Sequence, residues 1–200
     1  MRLYFVRHGK SEANTRHIIS NRESPLGLTS SGKRQAHALA NRLRDVPFSA
    51  MFCSPVYRAR ETADILATSF GIPYEVTESL REYDCGILED RSDEESWRLH
   101  REYFEDWTLR QQYTNKPEGG ECFLDIQNRF LPFITSLENH GDKHILLIGH
   151  GGLFHLMLPL LFSNVDNDFV SSHGLGHTDC VIGELLAEQF VCRQWGDEQF

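Results

Sequence analysis

Two basic side chains stand at the end of the first apolar run of this chain. Residues 3–6 read Leu-Tyr-Phe-Val and are followed at once by Arg7, His8 and Gly9. Ligands of open α/β sheets bind outside the carboxyl ends of the strands, so such a strand carries a guanidinium and an imidazole to the binding edge. A cation beside an imidazole suits the handling of phosphate, provided that other segments supply the rest of the site.

Two arginines close to the start of a predicted helix supply more positive charge. Arg58 and Arg60 lie near the amino end of the helix predicted over 55–70. The helix dipole favours anions at that end, so a bound anion would explain both cations. Alternatively, both side chains extend into water or pair with Glu61 or Asp64.

A glycine-rich turn and a glutamate follow two further predicted strands. The strand at 144–148 leads into Gly149, His150, Gly151 and Gly152, and glycines there let backbone amides approach a phosphate closely. Glu82 follows the strand at 74–77, and a carboxylic acid facing a cationic pocket can protonate a leaving oxygen. A tight turn and a surface glutamate are the ordinary alternatives for each feature taken alone.

Strand-length apolar runs alternate with helical patterns along the chain, which is typical of βαβ units. Strands are predicted at 2–6, 50–53, 74–77, 144–148, 181–187 and 190–194, and helices at 30–44, 55–70, 121–137 and 151–162. We expect Ser54 to cap the second helix, with Pro55 at its first position, and Pro132 to kink or shorten the third. The predicted fold class is α/β, a three-layer α/β/α sandwich with a mainly parallel sheet.

Residues 86–120 interrupt this alternation. The segment is acidic, ends in a Pro-Glu-Gly-Gly turn and contains aromatic residues that include Trp97, Tyr103, Phe104 and Trp107. We interpret it as an inserted helical lid over the ligand edge, with surface decoration as the alternative. The length of 200 residues favours one domain over 1–200.

The composition excludes several classes of protein. A net charge of −9 argues against nucleic-acid binding, although 12 of the 20 basic residues lie within 1–81. No apolar run is long enough for a membrane span, and the first strand begins too early to leave room for a signal peptide. Five scattered cysteines form no CxxC pair and are expected to be packing thiols, which suits a cytoplasmic protein without a disulfide framework or zinc site.

Six segments in this order resemble the motifs of the histidine phosphatase superfamily, which includes the cofactor-dependent phosphoglycerate mutases. They span residues 7–152, whereas the last fifty residues match only loosely. The matching segments are Arg7-His8-Gly9 with Ser11 and Asn14, Leu28-Thr29-x-x-Gly32-x-x-Gln35-Ala36, Ser54-Pro55-x-x-Arg58-Ala59-x-x-Thr62-Ala63, Leu80-x-Glu82-x-x-x-Gly86, Gly119-Gly120-Glu121 and Gly149-His150-Gly151-Gly152.

The resemblance implies that His8 is the nucleophile and forms a phosphohistidine. Arg7, Arg58 and His150 would hold the phosphoryl oxygens, and Glu82 would give a proton to the leaving alkoxide. These residue types suit the chemistry, because the surrounding cations keep an imidazole neutral and stabilise the transferred group.

Five further residues are expected to border the substrate. These are Asn14, Ser20, Asn21, Gly151 and Glu121. No metal ion and no cofactor are implied, because the pocket supplies its own cations. The expected ligand is a small-molecule phosphate ester, and a homo-oligomer is left open.

Phosphatase activity is favoured over mutase activity by the lid. The superfamily's mutases carry adjacent basic residues there, whereas Arg98, Arg101 and Arg110 are separated here, and no basic residue follows Glu82 directly. The segment 18–22 also departs from the mutase loop. The aromatic lid residues favour a monoester with apolar or sugar surface, and acidic ones disfavour a highly anionic substrate unless Arg22, Arg98 or Arg101 points inward.

Three alternatives remain open: a phosphoglycerate mutase, a phosphohistidine protein phosphatase, which the insertion disfavours, and a phosphate-binding module without activity. Among the other histidines, a metal pair at His173 and His177 is a minor hypothesis, since two glycines between them spoil helical geometry. His155 is expected in the core and His17 on an exposed loop. His37, His100, His140 and His144 are assigned no function.

Overall fold

A seven-stranded sheet runs through the molecule in the computed structural model, which describes residues 1–22, 24–138 and 143–200. The strands are β1 (Arg2–Arg7), β2 (Ala50–Cys53), β3 (Glu75–Val76), β4 (His144–Gly149), β5 (Cys180–Leu186), β6 (Gln189–Trp195) and β7 (Glu198–Gln199). Their spatial order is β3-β2-β4-β1-β5-β6-β7. The strands β3, β2, β4 and β1 are mutually parallel, and β5 to β7 extend the sheet antiparallel beside β1.

Helices cover both faces of the sheet. They are α1 (Glu12–Thr15), α2 (Ser30–Leu43), α3 (Tyr57–Phe70), α4 (Glu94–Thr108), α5 (Phe123–Leu137), α6 (Gly151–Leu161) and α7 (Asn167–Ser172), with 3₁₀ turns at Glu78–Leu80 and Gly86–Leu88. Residues of β1 alternate between two cores: Tyr4 and Val6 pack with α2 and α3, whereas Leu3 and Phe5 pack with α5 and α6. The predicted three-layer α/β/α class is therefore confirmed.

Local differences from the predicted elements arise from long-range contacts. The third predicted helix, α5, begins two residues later than expected and continues through Pro132. The second, α3, begins at Tyr57 with Val56 as its capping residue, so the expected cap at Ser54 is wrong. Instead, the Ser54 hydroxyl pairs with the ring of His150 at 2.7 Å.

The inserted segment 86–120 folds around α4. Its anchor is Trp107, which is fully buried and donates its indole N–H to the Asn115 carbonyl at 2.7 Å. The amino end of α4 is capped by the Asp93 carboxylate, which accepts the backbone N–H of Ser96. Residues on one face of α4 line a cavity together with Arg7 and His8, which lie at the carboxyl end of β1.

The five cysteines are buried free thiols, as predicted for packing residues. Among the described residues, no helix is long and apolar enough to cross a membrane. The described ranges also contain no group of three or more His, Cys, Asp or Glu side chains arranged to hold a metal ion.

Candidate active site

Strand register brings two histidines together at the carboxyl edge of the sheet. In the parallel pair of β1 and β4, Arg7 lies opposite Gly149, so His8 and His150 leave the sheet side by side. Their ring centroids are 5.1 Å apart. The two strands that carry them are far apart in sequence, and only the parallel register makes them neighbours.

The His8 ring is buried and held in one tautomer. Its Nδ1 lies 2.8 Å from the carbonyl of Gly9, which can only accept a hydrogen bond, so Nδ1 carries the proton. Nε2 is then unprotonated, and its lone pair accepts the Nε–H of Arg58 at 2.9 Å. Burial first, and then the charges of Arg58 and Arg7, hold the pKa of His8 well below its usual value.

Arg58 is the buried cation at the centre of the site. Its guanidinium contacts His8, the backbone carbonyl of Ser20, the Asn21 side-chain oxygen at 3.4 Å and His150 Nδ1 at 3.3 Å. Burial lowers the pKa of Arg58 to about 10, so it remains charged at neutral pH. The alternative in which this arginine extends into water is therefore wrong.

His150 caps the start of α6 and faces the same guanidinium. Because a guanidinium only donates, His150 Nδ1 accepts from Arg58, and Nε2 donates to the Ser54 hydroxyl oxygen. That oxygen also accepts the backbone N–H of Val56. Burial, followed by the Arg58 charge, holds the pKa of His150 well below its ordinary value.

The Glu82 carboxyl group lies against the first turn of α6. It accepts the backbone N–H groups of Gly152 at 2.9 Å and Leu153 at 2.6 Å, and that of Tyr83 at 3.3 Å. Burial raises the pKa of Glu82, while the Arg58 charge and these hydrogen bonds oppose the increase. A carboxyl group with a raised pKa is suited to donate a proton near neutral pH.

Two buried donors beside His8 lack a protein partner. Arg7 Nε and Ser20 Oγ have no hydrogen-bond partner in the part of the chain that the structure describes. Arg7 gives one of its other N–H groups to the Leu175 carbonyl, and its guanidinium lies where a side chain on Gly151 would have to go. Buried polar groups are nearly always paired, so both atoms are suited to an anionic ligand.

Two amides complete the polar end of the site. The Asn21 side-chain N–H₂ donates to the Tyr83 carbonyl at 3.0 Å. Asn14 accepts from Ser11 N at 3.1 Å and Ser11 Oγ at 2.8 Å, and its oxygen is also 3.1 Å from His177 Nε2. These contacts occupy the Asn14 oxygen and leave its N–H₂ as the group that can bind substrate.

These groups line one cavity of about 730 Å³. The polar end contains Arg7, His8, Asn14, Ser20, Asn21, Arg58, Glu82, Gly151 and Gly152. The outer end is lined largely by rings and aliphatic side chains: Ala13, Ile18, Ile19, Tyr83, Trp97, His100, Arg101, Phe104, Glu105, His155 and Leu175. His150 lies under the polar end and reaches it through Arg58.

One expected site residue lies elsewhere. Glu121 is outside the described cavity lining and forms an ion pair with Arg129, with Nε and Oε1 2.8 Å apart. It also accepts the backbone N–H of Asp84, two residues beyond Glu82. Its contacts are therefore structural, and we withdraw its assignment to substrate binding.

A family model described as "Histidine phosphatase superfamily (branch 1)" matches residues 3–198. The chain belongs to the histidine phosphatase superfamily. The match extends the sequence resemblance through the antiparallel strands β5 and β6, which lie beyond the last of the six motifs.

Members of the superfamily with phosphatase names are similar to this chain. The adenosylcobalamin/alpha-ribazole phosphatase of Salmonella typhimurium is 32% identical over 164 residues, covering 82% of this chain and 80% of that one. The Mus musculus 6-phosphofructo-2-kinase/fructose-2,6-bisphosphatase 1 is 34% identical over 188 residues, 92% of this chain but only 36% of that protein. The chain thus spans about a third of that relative. The alpha-ribazole phosphatase of Shigella flexneri has a similar structure, with a TM-score of 0.82, 25% identity, and coverage of 98% and 96%.

Several histidines differ from their predicted places. His155 is half-buried and lines the cavity, so the core assignment is wrong. His100, which carried no motif, also lines it. His173 stacks on Phe169 and His177 bonds Asn14, so each has a partner of its own. His17 is exposed, as expected, whereas His140 lies outside the described residues.

Of the three arginines considered as pointing inward, Arg22, Arg98 and Arg101, one is placed to contact a ligand. Arg22 pairs with Asp84, and Arg98 pairs with Glu95 and Glu102 on the exposed side of α4. Arg101 lines the cavity. The helical spacing of residues on α4 could have revealed this face, because residues three and four apart lie on one side of a helix.

Proposed function

We propose that this protein is a metal-independent phosphomonoesterase for small phosphorylated metabolites and that it reacts through a phosphohistidine on His8. Its membership of the superfamily and the phosphatase names of its relatives support a phosphatase. In the same proposal, residues 1–200 form one domain, segment 86–120 closes one side of the site, and the enzyme works in the cytoplasm, where free thiols persist.

One observation supports this proposal most strongly. A neutral, buried His8, whose Nε2 lone pair is held only by Arg58, lines a cavity together with Arg7 and Ser20, and Arg7 Nε and Ser20 Oγ still have hydrogen bonds to give. A nucleophile surrounded by donors that need an anion is the arrangement that phosphoryl transfer requires.

In the first step, His8 Nε2 attacks phosphorus and the bond between phosphorus and the ester oxygen breaks. Arg58 releases Nε2 and, with Arg7, binds the phosphoryl oxygens. The Glu82 carboxyl group gives its proton to the leaving alkoxide, so the products are an alcohol, a phosphohistidine and a carboxylate. The raised pKa of Glu82 supplies the protonated form that this step needs.

In the second step, water attacks the phosphohistidine. The Glu82 carboxylate takes a proton from the water as its oxygen bonds to phosphorus, and the bond to Nε2 breaks. Inorganic phosphate leaves, His8 regains its lone pair and Glu82 its proton. His150 would donate to the phosphoryl group only after gaining a proton, which the charge of a bound phosphate favours.

The test combines turnover with trapping of the intermediate. Phosphate release would be measured for sugar phosphates, phosphoglycerates and an aryl phosphate, with and without a metal chelator. Quenching the reaction of a radiolabelled ester in alkaline detergent should trap a base-stable, acid-labile label on the wild-type protein and none on His8→Ala. The matched control is His37→Ala, because His37 is exposed on α2 and should retain both signals.

The alternatives predict different results. A phosphoglycerate mutase would interconvert 2- and 3-phosphoglycerate, with 2,3-bisphosphoglycerate present, faster than it releases phosphate. A binding module would bind phosphate without labelling or turnover. Turnover that survives in His8→Ala would contradict the proposed nucleophile.

A further inference from the structure

One face of α4 forms the outer wall of the cavity. The lining residues of this helix are Trp97, His100, Arg101, Phe104 and Glu105. Their spacing of three, one, three and one residues places them on a single stripe along the helix. Arg98 lies beside this stripe, is exposed, and pairs with its own helix neighbours Glu95 and Glu102.

The Trp97 indole N–H and the His100 Nε2 already have protein partners. The Trp97 indole N–H donates to the His17 carbonyl at 2.7 Å, and His100 Nε2 is 2.9 Å from the Tyr83 hydroxyl. Both rings are thereby held in place. What they can offer a ligand is ring surface rather than these hydrogen bonds.

Other rings extend this surface across the cavity. Phe104 meets His155 of α6 edge to face, with centroids 5.0 Å apart, and His100 stacks on Tyr83 at 5.6 Å. A wall of fixed rings binds an apolar or ring-bearing group without first having to order its own side chains.

The charges on the face balance. Arg101 and Glu105 both line the cavity, and Glu105 also pairs with Arg110, whose charge Asp106 offsets in turn. Arg22 and Arg98 pair with carboxylates outside the cavity. The outer end therefore provides no surplus of positive charge for a second phosphate or a carboxylate. The surplus lies at the polar end, around Arg7 and Arg58.

We propose that this outer end is a leaving-group subsite that selects monoesters whose alcohol carries an uncharged ring. Trp97, His100, Phe104 and His155 contact the ring, and the phosphoryl group lies at the polar end. The inference rests on the proposed phosphatase function and names the substrate class of that same site.

The test compares two esters whose leaving alkoxides differ little in basicity: 2-phenylethyl phosphate and ethyl phosphate. The wild-type kcat/KM should be about tenfold higher for the phenyl ester, the size expected for burying one ring against aromatic neighbours. Phe104→Ala and, independently, Trp97→Leu should reduce this ratio severalfold. Two separate variants keep the test informative if one of them does not fold.

The matched control is Tyr113→Ala. Tyr113 lies in the same inserted segment but packs on Phe123 away from the cavity, so its removal should leave the ratio unchanged. Equal kcat/KM values for the two esters in the wild-type protein would overturn the subsite while leaving the phosphatase intact. So would a ratio that neither variant changes. If the protein hydrolyses neither these esters nor any member of the panel, the proposed function itself is overturned, and the subsite with it.

Discussion

The surroundings of the polar end leave the His8 ring neutral and favour the protonated form of the Glu82 carboxyl group. The Gly9 carbonyl fixes the proton of His8 on Nδ1, and burial keeps the ring neutral, so Nε2 carries the lone pair that can attack once Arg58 releases it. Burial raises the pKa of Glu82 and thus favours its protonated form. A neutral nucleophile and a protonated acid can coexist at the same pH only because their pKa values are shifted in opposite directions.

The first prediction concerns the pH dependence of kcat/KM. Activity needs neutral His8, whose pKa is lowered, and protonated Glu82, whose pKa is raised above 4.5. The rate should therefore hold below pH 6.5 and decrease as rising pH deprotonates Glu82. Glu82→Gln should lose about 10²-fold or more in kcat, the contribution typical of an acid catalyst.

The decisive measurement is the basic side of the profile, corrected for the second ionisation of the ester itself. The decrease in kcat/KM at high pH should disappear in Glu82→Gln, which retains the shape of the side chain but does not titrate. An unchanged basic limb in this variant would assign that ionisation to another group.

The second prediction concerns His177, which positions Asn14. The Ser11 backbone N–H fixes which end of the Asn14 amide is the oxygen, so His177 must donate to it through Nε2–H. Burial lowers the pKa of His177 to about 4, which keeps this tautomer neutral. His177→Phe removes one of the three hydrogen bonds to the Asn14 oxygen, and should therefore loosen the amide and raise the KM of a phosphate ester more than it lowers kcat.

Rescue distinguishes positioning from a packing role. His177→Gln retains an N–H donor and should recover much of the KM, whereas His177→Phe retains bulk alone. If Phe and Gln behave alike, the hydrogen bond to Asn14 has no part in binding. His173→Phe is the control, because the His173 ring stacks on Phe169 instead.

The sequence predicted the polar residues of the site better than their surroundings. Arg7, His8 and His150 follow strand ends, and strand ends meet at one edge of a parallel sheet, so short motifs suffice to find them. Ser54, His100 and His177 acquire their partners from residues 96, 17 and 163 positions away in the chain, respectively. No local pattern encodes such pairs, and the capping pattern at Ser54 was misleading for this reason.

Among the elements, the start of α6 is the most sensitive to a small change. Gly151 and Gly152 bring its first turn against Arg7 and Glu82, and a Cβ on Gly152 would lie 2.6 Å from the Tyr83 ring and 2.9 Å from the Glu82 carboxylate. We therefore predict that Gly152→Ala displaces the acid and reduces kcat by about tenfold or more, as small misplacements of reacting groups do.

This prediction is checked by kcat together with the midpoint of urea unfolding. The control is Gly174→Ala, where an added Cβ meets nothing within 4 Å and both values should be retained. Loss of stability without loss of kcat in Gly152→Ala would show that the close approach serves packing rather than the position of Glu82.

The face of α4 gives a fourth prediction, about charge. Glu105, which also pairs with Arg110, places a carboxylate at the outer end of the cavity that would repel a substrate carboxylate, and Arg101 would oppose that effect. Glu105→Gln should therefore raise kcat/KM for 3-phosphoglycerate relative to glycerol 3-phosphate by a few fold, the size of a partly screened charge contact. An unchanged ratio would place Glu105 too far from the leaving group to matter.

The helix of the inserted segment was predictable from the sequence, but the face of it that lines the cavity was not. Its acidic and aromatic composition marked an insertion, and the spacing of Trp97, His100 and Phe104 fits a helix. Which face turns inward depends on how Trp107 is buried and on what Trp97 bonds, and both involve residues outside the helix. The short elements α1, α7 and β7 escaped prediction because they have too few residues to show a period.

At the scale of the whole molecule, the same burial that prepares the site makes stability depend on pH. His8, His100, His150, His155 and His177 all have lowered pKa values caused first by burial. On unfolding they return to about 6.5. Below that pH the unfolded chain binds more protons than the native one, so stability decreases as pH falls.

We predict that the free energy of unfolding decreases between pH 7 and pH 5, by up to about 1.4 kcal/mol per pH unit for each fully buried histidine. Glu82 and Glu89, whose pKa values burial raises, act in the opposite direction but are fewer. Urea unfolding at fixed ionic strength measures the slope. His100→Gln should make it shallower, because His100, with a pKa of about 4, then no longer titrates on unfolding. Stability that is constant or rises towards pH 5 would mean that these imidazoles take up protons without unfolding, and the neutral His8 on which the proposed attack depends would not hold in acid.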